Sequence, residues 1–145
     1  MIVVDANILI RAILGRRAQQ IIETYATRGA RFLAPEVAFE DAKKYLPALL
    51  KKYGKPDGEA LASLQNLRQH VESIEPELYS ECEAEARTRL QGRDEDDWPV
   101  LALALALDCA IWTEDADFFG TGIPVWTTNR VEIFLKSQLN LHHSE

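Results

Sequence analysis

Residues 2–4 (Ile-Val-Val) form a short apolar run that stops at Asp5, the pattern of a buried strand with a polar group at its C-terminal end. Residues 7–14 and 18–27 carry helical spacing, are split by Gly15-Arg16-Arg17, and are followed by Gly29 as a C-cap. Residues 31–34 make a second strand, and Pro35 opens a helix running to about Tyr53, in which Pro47 predicts a kink or break. A Gly54-Lys55-Pro56-Asp57-Gly58 turn leads to a helix over residues 59–70 with Leu61, Leu64 and Leu67 on one stripe. A third strand is expected over residues 71–74, and a helix from Pro76 to Leu90 that ends at Gly92.

The next helix is capped by Asp97 or Trp98 and carries Pro99 in its first turn; residues 101–107 are apolar all round, so it is a buried helix. A fourth strand (residues 110–113) and a short fifth (residues 124–126) precede a final helix capped at Thr128 or Asn129, with Val131, Phe134, Leu135 and Leu139 facing inward. Strands alternating with helices predict an α/β fold with a parallel sheet covered on both faces. In such sheets functional groups gather beyond the C-terminal strand ends.

The chain of 145 residues is one domain's length, 1–145, and its hydrophobic fraction of 47% supplies one core. No signal peptide is expected, since the N-terminus has no basic region, and the longest apolar run (residues 100–107) is too short to span a bilayer. Cys82 and Cys109 have no metal-ligand spacing and read as buried free thiols of a reducing, cytoplasmic compartment. The net charge of −7 is the wrong sign for holding nucleic acid by phosphate neutralisation alone. It is acceptable where the acids surround bound divalent ions, and it suits a basic protein partner.

The acids are where the chemistry lies. Asp5 follows strand one; Asp115 and Asp117 follow strand four; Asp96 and Asp97 start the helix leading into strand four. Glu36 and Glu40 lie four apart on one helix face after strand two. Carboxylates from distant segments would meet at one sheet edge, where repulsion forces some to protonate or requires a hard cation, Mg²⁺ or Mn²⁺. Phosphodiester hydrolysis is the chemistry that uses such a cluster. Each acid also has a structural role available: strand end for Asp5, helix cap for Asp97, Asx-type turn for Asp115 and Asp117, solvated helix face for Glu40.

Four blocks then carry a resemblance: Val3-Val4-Asp5-Ala6-Asn7, Pro35 with Glu40 five residues on, Asp97 before an Ala/Leu-rich helix, and residues 112–118 (Trp-Thr-Glu-Asp-Ala-Asp-Phe). In order and spacing the chain resembles PIN-domain ribonucleases, and in particular the VapC-type toxins of toxin–antitoxin pairs. The resemblance implies a three-layer α/β/α PIN-like fold with a central parallel sheet of four to five strands. It implies that Asp5, Glu40, Asp97 and Asp115 form the catalytic and metal-binding quartet, with Asp117 as an accessory acid. Asn7 and Thr113 would fix carboxylate orientation. The activity implied is Mg²⁺- or Mn²⁺-dependent endoribonuclease cleavage of single-stranded RNA, in a homodimer with an antitoxin partner.

The chain departs from that pattern at Glu114, in a long segment over residues 51–67, and in its acidic charge. The alternative is a non-catalytic PIN-like module that recruits a basic protein. A phosphatase of the haloacid-dehalogenase type would need a second Asp where Asn7 stands.

Overall fold

The computed structural model describes the backbone of residues 1–143 and their side chains except Asp57 and residues 141–143. Five strands, β1 (Ile2–Val4), β2 (Phe32–Pro35), β3 (Val71–Ile74), β4 (Ala110–Trp112) and β5 (Val125–Trp126), form one parallel sheet in the order β3-β2-β1-β4-β5. The chain lays strands outward from β1 on one side, then returns to place β4 on the other. The crevice between the ends of β1 and β4 is therefore the topological switch point.

Alternation along β1 assigns the two faces. Ile2 and Val4, with Phe32, Ala34, Ala110 and Trp112, pack beneath α1 (Ala6–Leu14), α2 (Arg17–Thr27), α3 (Glu36–Lys52), α4 (Asp57–Leu67) and α7 (Val131–His143). Val3, Leu33 and Ile111 face α5 (Glu83–Arg89) and α6 (Trp98–Leu107). The result is the three-layer α/β/α arrangement with five parallel strands. Residues 98–107 are helical and apolar on every side because α6 crosses this second face, where Leu101 to Ala104 are fully buried. The apolar faces of α1 and α2 are core: Ile8, Leu9, Ile21 and Ile22 are buried.

Three expectations change. The helix expected from Pro76 to Leu90 is two 3₁₀ turns, Pro76–Leu78 and Ser80–Cys82, followed by α5. The cause is Tyr79, which is buried against Trp98 at 5.8 Å between ring centroids, with a φ of −121° that interrupts helical geometry. Pro47 breaks nothing: α3 is continuous, and Pro47 sits on its exposed side, where water can satisfy the carbonyl left without a donor. Cys82 and Cys109 are free thiols but half-buried rather than buried. Among the described residues, no helix is long and apolar enough to cross a membrane.

Candidate metal centre

The switch-point crevice is built from strand ends upward. Asp5 ends β1 as the N-cap of α1, its Oδ1 accepting the Ala6 N–H at 2.7 Å. Its Oδ2 accepts from Thr113 Oγ1 at 2.8 Å and Asn7 Nδ2 at 2.9 Å. Thr113, fully buried one residue past β4, also accepts from Asn7 Nδ2 at 3.0 Å and from the Asp115 N–H at 2.9 Å. Asn7 Oδ1 takes the Glu114 N–H at 3.2 Å. The two strand ends are thus tied together through one hydroxyl and one amide, and both Asn7 and Thr113 fix Asp5 in orientation.

Asp115 Oδ1 accepts the Asp117 N–H at 2.9 Å, an Asx-type turn that turns both carboxylates toward the crevice. Asp97 is the N-cap of α6, yet its side chain makes no capping bond; the cap in this segment is Asp94, which accepts from the Asp96 N–H. The Asp97 carboxylate is left free. Carboxylate oxygens of Asp97, Asp115 and Asp117 lie within 4.8 Å of one another.

At an effective dielectric of about 20, two ionised carboxylates at that 4.8 Å limit repel by about 3 kcal/mol. Three such pairs rival the whole stability of a domain, about 5–15 kcal/mol. Protonation or a cation must relieve them. In the metal-free protein it is protonation: burial, then the charges of Asp5 and Asp115, push Asp97 up to about 8. Asp5 is raised too, first by burial, with the Thr113 and Ala6 hydrogen bonds opposing and the charges of Asp115 and Asp41 adding to the rise.

Three of the predicted acids thus meet here, Asp97, Asp115 and the accessory Asp117, with Asp5 near enough for its charge to act on Asp97. Glu40 does not join them. It is exposed and lines the groove between α3 and α4 beside Glu36, Lys43 and Arg68. In that groove Glu36 holds Arg68 through two hydrogen bonds, at 3.0 and 3.1 Å, and accepts from Ser73, while Arg68 stacks on Phe39 at 4.2 Å. The α3 acid whose charge acts on Asp5 is Asp41, which is half-buried and itself raised by desolvation. Its signal was present one position along, three residues from Ala38, where the helix turns from its buried side toward the crevice. Asp96 is exposed and outside the cluster.

A second feature had no signal in the sequence. Arg93 follows Gly92 in the turn before Asp97, and its Nη1 donates to the carbonyls of Asp117 and Phe119 at 2.6 Å each. Arg89 Nη1 donates to the Thr121 carbonyl at 2.9 Å. The two glycines of this loop make room: a Cβ on Gly122 would lie 2.9 Å from Arg89 Nη1, and Gly120 has φ +81° with Arg93 Nη2 at 3.4 Å from its Cβ position. Arg93 therefore locks the loop bearing Asp115 and Asp117 to the turn bearing Asp97.

The set fits a hard divalent cation. All donors are carboxylate oxygens, and Asp97 Oδ2 is buried with no hydrogen-bond partner, an orphan that a cation would satisfy.

A family model described as PIN domain matches residues 3–136. The chain belongs to the PIN-domain family. Members of that family are generally nucleases. Among solved structures, a toxin–antitoxin complex from Klebsiella pneumoniae is similar, with a TM-score of 0.62 at 21% identity, covering 88% of this chain and 98% of that one. At that identity the likeness is one of fold. A comparison with curated proteins found no match.

Two outcomes are expected. An acid raised from 3.8 to about 8 keeps, in the native state, a proton that the unfolded chain has released. Metal-free stability should therefore fall as pH rises between about 4 and 8. Melting temperatures from pH 5 to 8 should show this, Asp97→Asn should flatten the profile, and Mn²⁺ should remove the fall by replacing the proton; a flat wild-type profile refutes the assignment. Arg93→Met should weaken Mn²⁺ binding about tenfold by calorimetry, as loss of a charged clamp on ligand-bearing loops does. Arg93→Lys should recover part of it, since an ammonium still reaches a carbonyl.

Proposed function

We propose that the chain is a Mg²⁺- or Mn²⁺-dependent endoribonuclease acting on single-stranded RNA, with residues 1–145 forming one domain of the PIN type. One observation carries the reading: three carboxylates converge with an orphaned Asp97 oxygen in the crevice where Asp5 is held. A binding module has no use for that repulsion, whereas a nuclease does. The family supports hydrolysis; the choice of RNA comes from the resemblance to ribonuclease toxins.

Asp5, Asp97 and Asp115 would hold the ion, with Asp117 beside them. When bound, a divalent ion lowers the pKa of water and stabilises charge on the phosphodiester. The chain's own part is orientation. Thr113 and Asn7 fix the Asp5 carboxylate, the Asx turn aims Asp115, and Arg93 sets the distance between the two acid-bearing segments. For the α3 member of the quartet, Glu40 was the expected acid; the effect of Asp41 on Asp5 supports Asp41 in that place.

The same reading includes an antitoxin partner, supported by the toxin–antitoxin neighbour, and a homodimer, supported by the family resemblance alone. A cytoplasmic location is supported by two unpaired thiols.

Cleavage of a mixed single-stranded RNA pool in Mn²⁺, followed on denaturing gels, tests the activity. Asp5→Asn should reduce cleavage to background while the protein stays folded; retained cleavage rejects the site. Asp41→Asn should lower Mn²⁺ affinity and cleavage by about 10- to 100-fold, the usual loss for a metal-site group, and Glu40→Gln by less than about threefold. The reverse order would return the α3 position to Glu40.

A further inference from the structure

The acidic cluster repels the strand it would have to cut, so a local cationic site is needed to hold a phosphate beside it. Half of the ten arginines are already engaged. Arg31, Arg68, Arg87 and Arg89 pair with Glu72, Glu36, Glu83 and Glu85, and Arg93 is bound to carbonyls. The Arg11 guanidinium makes no hydrogen bond or ion pair among the described residues, and the residue is exposed. Arg17 is 61% exposed and only loosely paired with Glu132 at 3.7 Å.

Both arginines line one cavity of about 330 Å³. Its volume lies near the lower end of small-ligand sites, room for about one nucleotide. Leu14 and Ala18 supply an apolar wall, and Asn129 a polar one. Glu114 is the one carboxylate in the lining, and its Oε1 is occupied by the Thr128 N–H at 2.7 Å.

The cavity adjoins the metal centre through two elements. Glu114 immediately precedes Asp115, and its N–H is held by Asn7. Arg11 lies four residues after Asn7 on α1, on the same helix face. A strand seated here would lie alongside the carboxylates.

We propose that this cavity is a nucleotide subsite, in which Arg11 and Arg17 hold a backbone phosphate of the nucleic-acid strand beside the metal centre. Guanidinium groups suit this task because they bind phosphate oxygens through paired, charge-assisted hydrogen bonds. The apolar wall takes the sugar or base face without reading sequence. The subsite rests on the nuclease reading above.

The test compares wild type with Arg11→Gln, Arg17→Gln, the double variant, and a charge-matched control, Lys51→Gln with Lys52→Gln, at the far end of α3. Binding of a fluorescein-labelled oligouridylate is measured by anisotropy in EDTA, and cleavage kinetics in Mn²⁺. The double variant should bind about tenfold more weakly, and each lost arginine should shallow the log–log salt dependence by about 0.7. In cleavage it should raise KM about tenfold with kcat within about twofold, and the control should match wild type. If wild type binds and cleaves but the double variant keeps its affinity, salt slope and KM, the subsite is wrong and the nuclease reading stands. Wild type that neither binds nor cleaves overturns both. Should Arg17→Gln unfold the domain, Arg11→Gln alone decides, because the Arg11 side chain has no bond to lose among the described residues.

Discussion

Mutual repulsion of carboxylates is the constraint around which this domain is arranged. Three acids within 4.8 Å, with Asp5 beside them, repel by an energy comparable to the whole stability of a small domain if all are ionised. The fold holds them there nonetheless. It does so by placing the acids at the switch point between β1 and β4, where the strands end. The surrounding structure works against the repulsion. Thr113 and Asn7 bind one side of Asp5, backbone N–H groups meet Asp5 and Asp115, and Arg93 fastens the third segment. A group kept in place at such cost is the usual sign of a functional site rather than a structural one.

This arrangement explains why hydrogen bonds here run to backbone as much as to side chains. A salt bridge from Arg93 to Asp117 would neutralise the carboxylate and remove it from use. Arg93 instead binds the carbonyls of Asp117 and Phe119, so the loop is fixed while the carboxylate stays free. Asp94 plays a similar part: by capping its turn it leaves the Asp97 side chain uncommitted. Gly120 and Gly122 belong to the same device: a side chain at Gly122 would push Arg89 from the loop, and Gly120 supplies a φ of +81° beside Arg93.

Much of this was legible in the sequence, for physical reasons that vary by element. Short apolar runs ending in acids marked β1 and β4, and with them Asp5 and Asp115, because a buried parallel strand has a strong local signature. The apolar run after Asp97 marked a buried helix, but choosing Asp97 over its acidic neighbours came from the family resemblance. Helix α3 was harder. It has one face on the core and two flanks, and one residue of rotation, about 100°, separates the Glu40 flank with Arg68 from the Asp41 flank with Asp5. Spacing from Pro35 cannot resolve that. The segment after Pro76 misled because helical spacing continues through it, while Tyr79 is drawn into the core against Trp98 and breaks the helix. Arg93 was invisible because its partners are main-chain atoms, which every sequence supplies.

The overall charge is the last point that the fold reinterprets. A net charge of −7 argues against nucleic-acid binding only if charge is spread evenly. Here four acids are held in local pairs: Glu36, Glu72, Glu83 and Glu85 each face an arginine, which leaves those arginines less available to a ligand. What remains near the crevice is a separation of sign, with carboxylates at the switch point and Arg11 and Arg17 one helix face away. A divalent ion among the carboxylates would offset part of their charge and weaken the repulsion at the crevice. A strand of phosphates beside the crevice would then meet Arg11 and Arg17, the guanidinium groups that line the adjoining cavity.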